Sequence, residues 1–271
     1  MRNNNIKSRK HLLAVADDRS VAGNTDLSHF VYNHSIKSIN DLISTTWEMA
    51  AASDDVKRQK KSRMEVLQEA SGFNCVPGCN GAWFNCAIEV LTQNCVNPVL
   101  FAASMRDLLQ KGRGKHRNIM VIGPKDSAKT FLFTPLQVLF KVFSNPSNDK
   151  YAWIGADEAE VIFLNDFRWS NEKIDWDSFL HLLEGQPCHL PAPKNHFAND
   201  ICIVRDTPIF ATSKERVRFR QTYNRTCEKE DAMMDARWKV YEFFVSIPEE
   251  EQIPLKSCPK CFADMVLMEE L

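Results

Sequence analysis

Between residues 27 and 110 the apolar positions of this chain recur at spacings of three and four. Ile36, Ile39, Ile43, Trp47 and Ala50 share one helical face, and the runs at 64–70, 83–91 and 98–110 repeat the pattern, the first of them stopping at Gly72. From Asn118 onward the period changes. Unbroken apolar runs at 118–122, 161–165 and 207–212 read as strands buried on both faces, as in a parallel sheet, and 128–143, 176–184 and 229–234 read as helices between them. Residues 187–199, PCHLPAPKNHFAN, are extended and punctuated by proline; they read as a projecting hairpin with Lys194 and His196 near its tip. Residues 1–26 are polar and charged without a period. The expected organisation is a flexible arm over 1–26, a helical region over 27–115, an α/β core over 116–255 and a Cys-x-x-Cys tail over 256–271. The core is expected to be a three-layer sandwich around a mainly parallel sheet.

Composition narrows the partners. With 44% hydrophobic and 25% charged residues, the 271-residue chain suits one sizeable folded domain, or one with an appendage. The formal net charge of −1 gives no global basic field, so any nucleic-acid contact needs a local patch or an oligomer that concentrates charge. The segment DDVKRQKKSR (54–63) reads either as a solvated helix face or linker, or as such a patch. The apolar stretch at 12–16 is too short for a secretory leader, and no apolar run approaches the ~20 residues of a membrane span. An intracellular chain with reduced thiols is therefore expected. Two cysteine pairs flank the core, Cys75 with Cys79 and Cys258 with Cys261. A Zn²⁺ held by all four would staple the ends of the domain; the other readings are ordinary thiols and redox chemistry. Cys86, Cys95, Cys188, Cys202 and Cys227 read as core filler.

The chemistry concentrates after the first strand. Gly123, Pro124, Lys125, Asp126, Ser127, Ala128, Lys129 and Thr130 follow it directly and lead into an apolar helix. That is the context of a phosphate-binding loop, in which backbone N–H groups hold phosphate oxygens, Lys129 reaches the β/γ-phosphates and the Thr130 hydroxyl meets Mg²⁺. Ala128 stands where such loops carry a second glycine. If the position needs positive φ, alanine costs about 1–3 kcal/mol. Asn165 and Asp166 end the second strand, the edge where open α/β sheets bind ligands. Asp166 could hold Mg²⁺ through water, orient an attacking water, or simply cap a turn, whereas Asn165 could hold water but not act as a base. Ser213 and Lys214 end the third strand, where a polar residue can sense a γ-phosphate or a cation can sit beside the phosphates. Lys194 could contact a nucleic-acid phosphate and His196 could stack, or the segment is an ordinary polar loop.

The ordered series GPKDSAKT, VIFLNDFRW, PAPKNHF, DTPIFATS and DARWKVYEF resembles the superfamily 3 helicases, in particular the helicase domain of parvovirus non-structural proteins. The helical approach, AWFNCAIEVLTQN and FAASMRDLLQKGRGKHRNIMVIGP, is similar to that group as well, so the resemblance covers about residues 80–247. Virus-derived, parvovirus-like genes carried in animal genomes are similar too. The resemblance implies a P-loop NTPase fold of the AAA+-like kind, with ATP and Mg²⁺ as cofactors. It makes Gly123, Lys129 and Thr130 the Walker A residues and places Asn165 and Asp166 at the Walker B acidic pair. Lys194 and His196 fall on a DNA-gripping pore hairpin, Lys214 on a sensor position usually held by asparagine, and Arg237 on an arginine that reaches a neighbouring subunit's nucleotide. It implies a hexameric ring on single-stranded or fork-like DNA, no membrane, and a nuclear location. The expected activity is an ATP-dependent DNA helicase or translocase. The departures at Ala128, Asn165 and Lys214 favour the alternative, a degenerate or domesticated ATPase-like module that binds nucleotide or DNA with little turnover. The viral proteins also carry a nicking nuclease; the residues before Gly72 hold no His-x-His motif, so nicking is not expected of this chain.

Overall fold

A computed structural model describes residues 4–146, 151–192, 201–219 and 227–269. By its internal contacts the chain divides between Ser62 and Arg63. The first unit holds three helices, α1 (Arg9–Val21), α2 (Asp26–Asn33) and α3 (Ile36–Gln59). Ser8 and Ser35 begin α1 and α3 by accepting the N–H groups of His11 and Ser38, as N-caps do. Ile6, Leu12, Ile39 and Ile43 are buried together, with Phe30 and Trp47 packed on them. The Trp47 indole N–H donates to the Ile6 carbonyl at 2.7 Å.

The second unit is a layered α/β structure. Three helices come first: α4 (Arg63–Ser71), α5 (Ala82–Gln93) and α6 (Pro98–Lys111). Then follow β1 (Asn118–Ile122), α7 (Lys129–Phe133), α8 (Leu136–Leu139), β2 (Val142–Ser144) and β3 (Val161–Leu164). The remainder is α9 (Trp176–Glu184), β4 (Cys188–Leu190), β5 (Ile201–Ile203), β6 (Ile209–Ser213), α10 (Glu228–Asp235), β7 (Trp238–Glu242) and α11 (Pro259–Leu267). Five strands form one sheet in the order β2-β3-β6-β1-β7, every pairing parallel. β1, β3 and β6 are buried along their whole length, which is why they read as unbroken apolar runs.

Alternate strand residues face opposite layers. Ile119, Val121, Val161, Phe163 and Phe210 pack against α4–α8 and α11. Met120, Ile122, Ile162, Leu164, Ile209 and Ala211 face the other way, with Phe179 and Leu182 of α9, Met234 of α10 and the β4–β5 pair. The result is the expected three-layer α/β sandwich with a mainly parallel sheet. No single helix among the described residues is long and apolar enough to cross a membrane.

The structure corrects several local expectations. The stretch 1–26, expected as an arm, contains α1, whose core contribution is two residues, Leu12 and Ala16, too few to show a period. The helical region expected over 27–115 is split at residue 62, because α4–α6 pack with the sheet and with α11. The single helix expected over 128–143 is two short ones, since Pro135 lacks the N–H that a continuous helix would use there. Beyond it the chain extends into the edge strand β2, half-buried and three residues long. The expected strands did not include β7, the other edge. Within the tail expected over 256–271, Pro259–Leu267 form the helix α11, with Pro259 at its first turn.

Candidate functional site

All five strands point the same way, so β1, β3 and β6 deliver their following residues to one edge. There, Gly123 opens the loop after β1. A Cβ on Gly123 would lie 2.4 Å from the Phe243 carbonyl oxygen, so the close passage of the segment after β7 requires glycine. Ala128 sits at φ 57° and ψ 17°, the left-handed conformation suspected from its place in the loop. Asp126 (φ 58°) and Asp166 (φ 47°) share that region, so three non-glycine residues with positive φ surround one edge. Strain of this kind gathers at ligand sites.

The Lys129 ammonium donates to the Gly123 carbonyl at 3.0 Å, to the Ser127 hydroxyl at 3.0 Å and to the Pro124 carbonyl. Burial pushes Lys129 below the ordinary lysine range, Asp166 and Asp126 oppose that shift, and Lys214 adds to it. The structure therefore brings Asp166, Asp126 and Lys214 within electrostatic reach of Lys129. Beside them runs a chain of hydrogen bonds. The hydroxyls of Thr130 and Thr212 donate to the Asn165 side-chain oxygen at 2.6 and 2.9 Å, and the Asp166 N–H donates to the Thr212 hydroxyl at 2.8 Å. Because the Thr212 oxygen accepts from Asp166, its proton is left for Asn165. The Asp166 carboxylate itself is exposed.

A cavity of about 620 Å³ adjoins the loop. One wall is α5, through Cys86, Glu89, Val90 and Gln93; the other is the segment 245–253. That segment is sewn to the loop, with the Ile247 N–H donating to the Asp126 carbonyl at 2.8 Å and the Ser246 hydroxyl to the Lys125 carbonyl at 3.1 Å. Buried Asn94, just past α5, accepts the N–H groups of Phe244 and Val245 at 2.8 and 3.0 Å. Sequence reasoning missed both walls and missed Thr212. The walls come from segments far apart in the chain, while Thr212 carried a usable signal as a polar residue at the tip of a buried strand.

The other expected residues fall elsewhere. Arg237 lies beside the start of β1, at the opposite end of the sheet from the loop. It is buried, donates to the carbonyls of Leu180 and Met233, and pairs with Glu184 at 2.8 Å. The structure does not bring it to the phosphate loop of its own chain. Lys194 and His196 lie outside the described residues; β4 and β5, which flank them, form an antiparallel pair. The four flanking cysteines meet, with all four sulfurs within 4.8 Å of one another, and could hold a zinc ion. Of the cysteines read as core filler, Cys188 is buried, whereas Cys95 is exposed.

The residues present suit a magnesium nucleotide in part. The loop 123–130 with Lys129 in it could hold phosphates, and Thr130 and Asp166 could hold Mg²⁺. The amide at Asn165 contributes no charge to that ion.

No protein-family model matches the chain, and no curated protein matches it. Among solved structures it is similar to JCV helicase, crystallised with a bound thiazolopyridine-phenoxyphenyl acetamide, at 14% identity and a TM-score of 0.43. That match covers 80% of this chain and 62% of the JCV helicase chain.

Proposed function

We propose that the unit following Ser62 is a nucleotide-binding ATPase domain of the superfamily 3 helicase type that acts on DNA. The observation that carries this reading is the loop 123–130 at the C-terminal edge of the parallel sheet, with Lys129 inside it, Asp166 across from it and a cavity of about 620 Å³ alongside. The cavity is large enough for a nucleoside, and its position lets a triphosphate run from it across the loop. Bound ATP would supply the phosphoanhydride whose hydrolysis drives movement. Lys129 would turn from the loop carbonyls to the phosphates, exchanging neutral acceptors for charged ones. Thr130 and Asp166 would hold Mg²⁺, and Lys214 would offset phosphate charge. In this reading the protein assembles as a ring on DNA in the nucleus, Lys194 and His196 grip the strand, and the four-cysteine cluster carries Zn²⁺. Arg237 would serve a neighbouring subunit's nucleotide only by leaving Glu184.

A second reading, a binding module with little turnover, is favoured by one observation. The Asn165 side-chain oxygen is already occupied by two hydroxyl donors, and no second carboxylate stands where the acidic pair would be. The deciding experiment is ATPase turnover of the wild type and of Lys129→Ala, with and without Mg²⁺ and single-stranded DNA, alongside binding of a fluorescent ATP analogue. Turnover that DNA stimulates and Lys129→Ala reduces at least ~100-fold supports the motor, a loss of the size that removing one transition-state donor produces. Lys129-dependent binding without turnover supports the module. Binding and turnover that ignore Lys129 would overturn both.

A further inference from the structure

The loop 75–79 and the start of α11 present four cysteines to one point. The Sγ of Cys261 lies 3.6 Å from those of Cys75 and Cys79. A tetrahedral Zn–S₄ centre with bonds of ~2.3 Å sets its sulfurs ~3.8 Å apart, whereas a disulfide needs ~2.05 Å. These two spacings are close to the metal centre's and far from a disulfide's, and all four sulfurs lie within 4.8 Å of one another. Cys79, Cys258 and Cys261 are each at most 5% exposed, so three of the four thiols have left water.

The two turns are built to aim them. Gly78 takes φ 85° and lets the Cys79 N–H close on the Val76 carbonyl at 3.0 Å; Pro259 starts α11 directly after Cys258. The backbone N–H groups of Val76 and Cys261 donate to the Cys258 sulfur, and that of Phe84, in the first turn of α5, donates to the Cys261 sulfur. Such donors orient sulfur ligands towards a shared ion. The Lys260 ammonium lies within electrostatic reach of Cys75 and Cys261 and offsets part of the charge of a tetrathiolate centre. A soft, all-thiolate set suits zinc far better than a hard cation such as Mg²⁺ or Ca²⁺.

The cluster also has a particular place. α5, one wall of the cavity beside the phosphate loop, starts just after Cys79, and the other wall, 245–253, ends shortly before Cys258. We propose that Cys75, Cys79, Cys258 and Cys261 bind one structural Zn²⁺, and that this ion fixes the two walls of the cavity against one another. Each thiol gives up its proton to solvent as it binds, and no redox step is involved. The consequence for nucleotide rests on the function proposed above; the metal site and the clamping of the walls do not.

The test uses the full chain purified with zinc in reducing buffer. Elemental analysis is expected to find one zinc per chain, lost in Cys258→Ser and Cys261→Ser and kept in Cys95→Ser. Cobalt substituted for zinc is expected to show thiolate charge-transfer bands and tetrahedral d–d bands. Chelation of the wild type, which needs no variant to fold, is expected to lower the melting temperature by on the order of 10 °C. It should also speed hydrogen exchange over 82–93 and 245–255. Zinc well below one per chain, a cobalt spectrum without thiolate bands, or a disulfide among these cysteines in the reduced protein would overturn the site. Unchanged exchange in both walls on zinc loss would overturn the clamp. Zinc-loaded protein that binds no ATP analogue would defeat the proposed function while leaving the metal result standing.

Discussion

Thr212 shows how much of the candidate site hangs on single side chains. It is 1% exposed, accepts the Asp166 N–H and donates to Asn165, and so holds both residues at the end of β3 from the neighbouring strand. Its own carbonyl accepts the Phe167 N–H at 2.8 Å, which fixes the turn beyond them. Thr212→Val keeps the shape and removes the hydroxyl, leaving the Asp166 N–H without its acceptor. That substitution is expected to lower stability by about 1–2 kcal/mol, because the donor left without its acceptor is only part-buried. It should weaken magnesium-dependent nucleotide binding as well, since Asp166 loses the anchor that holds its positive φ. Thr212→Ser should restore most of both. Urea denaturation and analogue binding read the two effects; a valine variant indistinguishable from wild type in each would show that Thr212 is not the anchor. Ala128 stands beside it as a contrasting case. Its left-handed φ carries a cost of about 1–2 kcal/mol for an L-residue with no side-chain hydrogen bond to offset it, and the fold absorbs this to keep the loop shape.

At the scale of elements, α5 and the segment after β7 are joined through Asn94. Its side chain donates to the Val90 carbonyl at 2.8 Å and accepts two N–H groups from the other wall, so all of its bonding serves the junction. Asn94→Ala leaves the part-buried N–H groups of Phe244 and Val245 without their acceptor and is expected to cost about 1–3 kcal/mol. The segment 245–253 should then exchange hydrogen faster while β1 and β6 stay protected. Equal protection of 245–253 in wild type and Asn94→Ala would sink the idea. This junction was not legible in the sequence, because Asn94 reads as a helix-terminal asparagine and its partners lie far along the chain. The three central strands were legible because burial on both faces gives them continuous apolar runs. The edge strands were not: β2 is half-buried, and β7 alternates Trp238 and Val240 with Lys239 and Tyr241. α1 was hidden because it buries two residues. The loop 123–130 after β1, the place of Asp166 at the tip of β3 and the two cysteine pairs were legible as local motifs or tip residues, while their roles belong to the proposals above. The cavity walls and the pairing of Arg237 with Glu184 were not, since both depend on which distant segments the sheet order brings together.

Across the whole second unit the two ends of the parallel sheet do different work. The C-terminal edge carries the strained loop, the exposed Asp166 and the cavity. The N-terminal end is locked by two buried arginines. Arg113 donates to the carbonyls of Gln186 and Ile203, and Arg237 ties α9 to α10 through Leu180, Glu184 and Met233. This division decides what Arg237→Ala should do. A guanidinium held for a neighbouring subunit could be removed with loss of turnover and little loss of stability. One that cross-links its own layers cannot. The buried contacts lead us to expect a loss of about 2–4 kcal/mol in the monomer, as for a buried partner removed from a charged pair that keeps some solvent contact. The effect carries a pH signature. Hydrogen bonding from Lys115 holds the Glu184 carboxyl below the ordinary glutamate range, partial burial opposes this, and Arg237 adds to it. A carboxylate with a depressed folded pKa contributes stability that is complete above its unfolded pKa and is lost as pH falls through the folded value. The stability gap between wild type and Arg237→Ala should therefore be full at neutral pH and narrow in acid, below the ordinary glutamate pKa of about 4.3. Denaturation midpoints measured at neutral and acidic pH, at concentrations where the chain is monomeric, give the answer. A gap that narrows in acid assigns Arg237 to the architecture of its own subunit. A variant as stable as wild type at neutral pH, yet unable to turn over ATP, would return it to the neighbour's site.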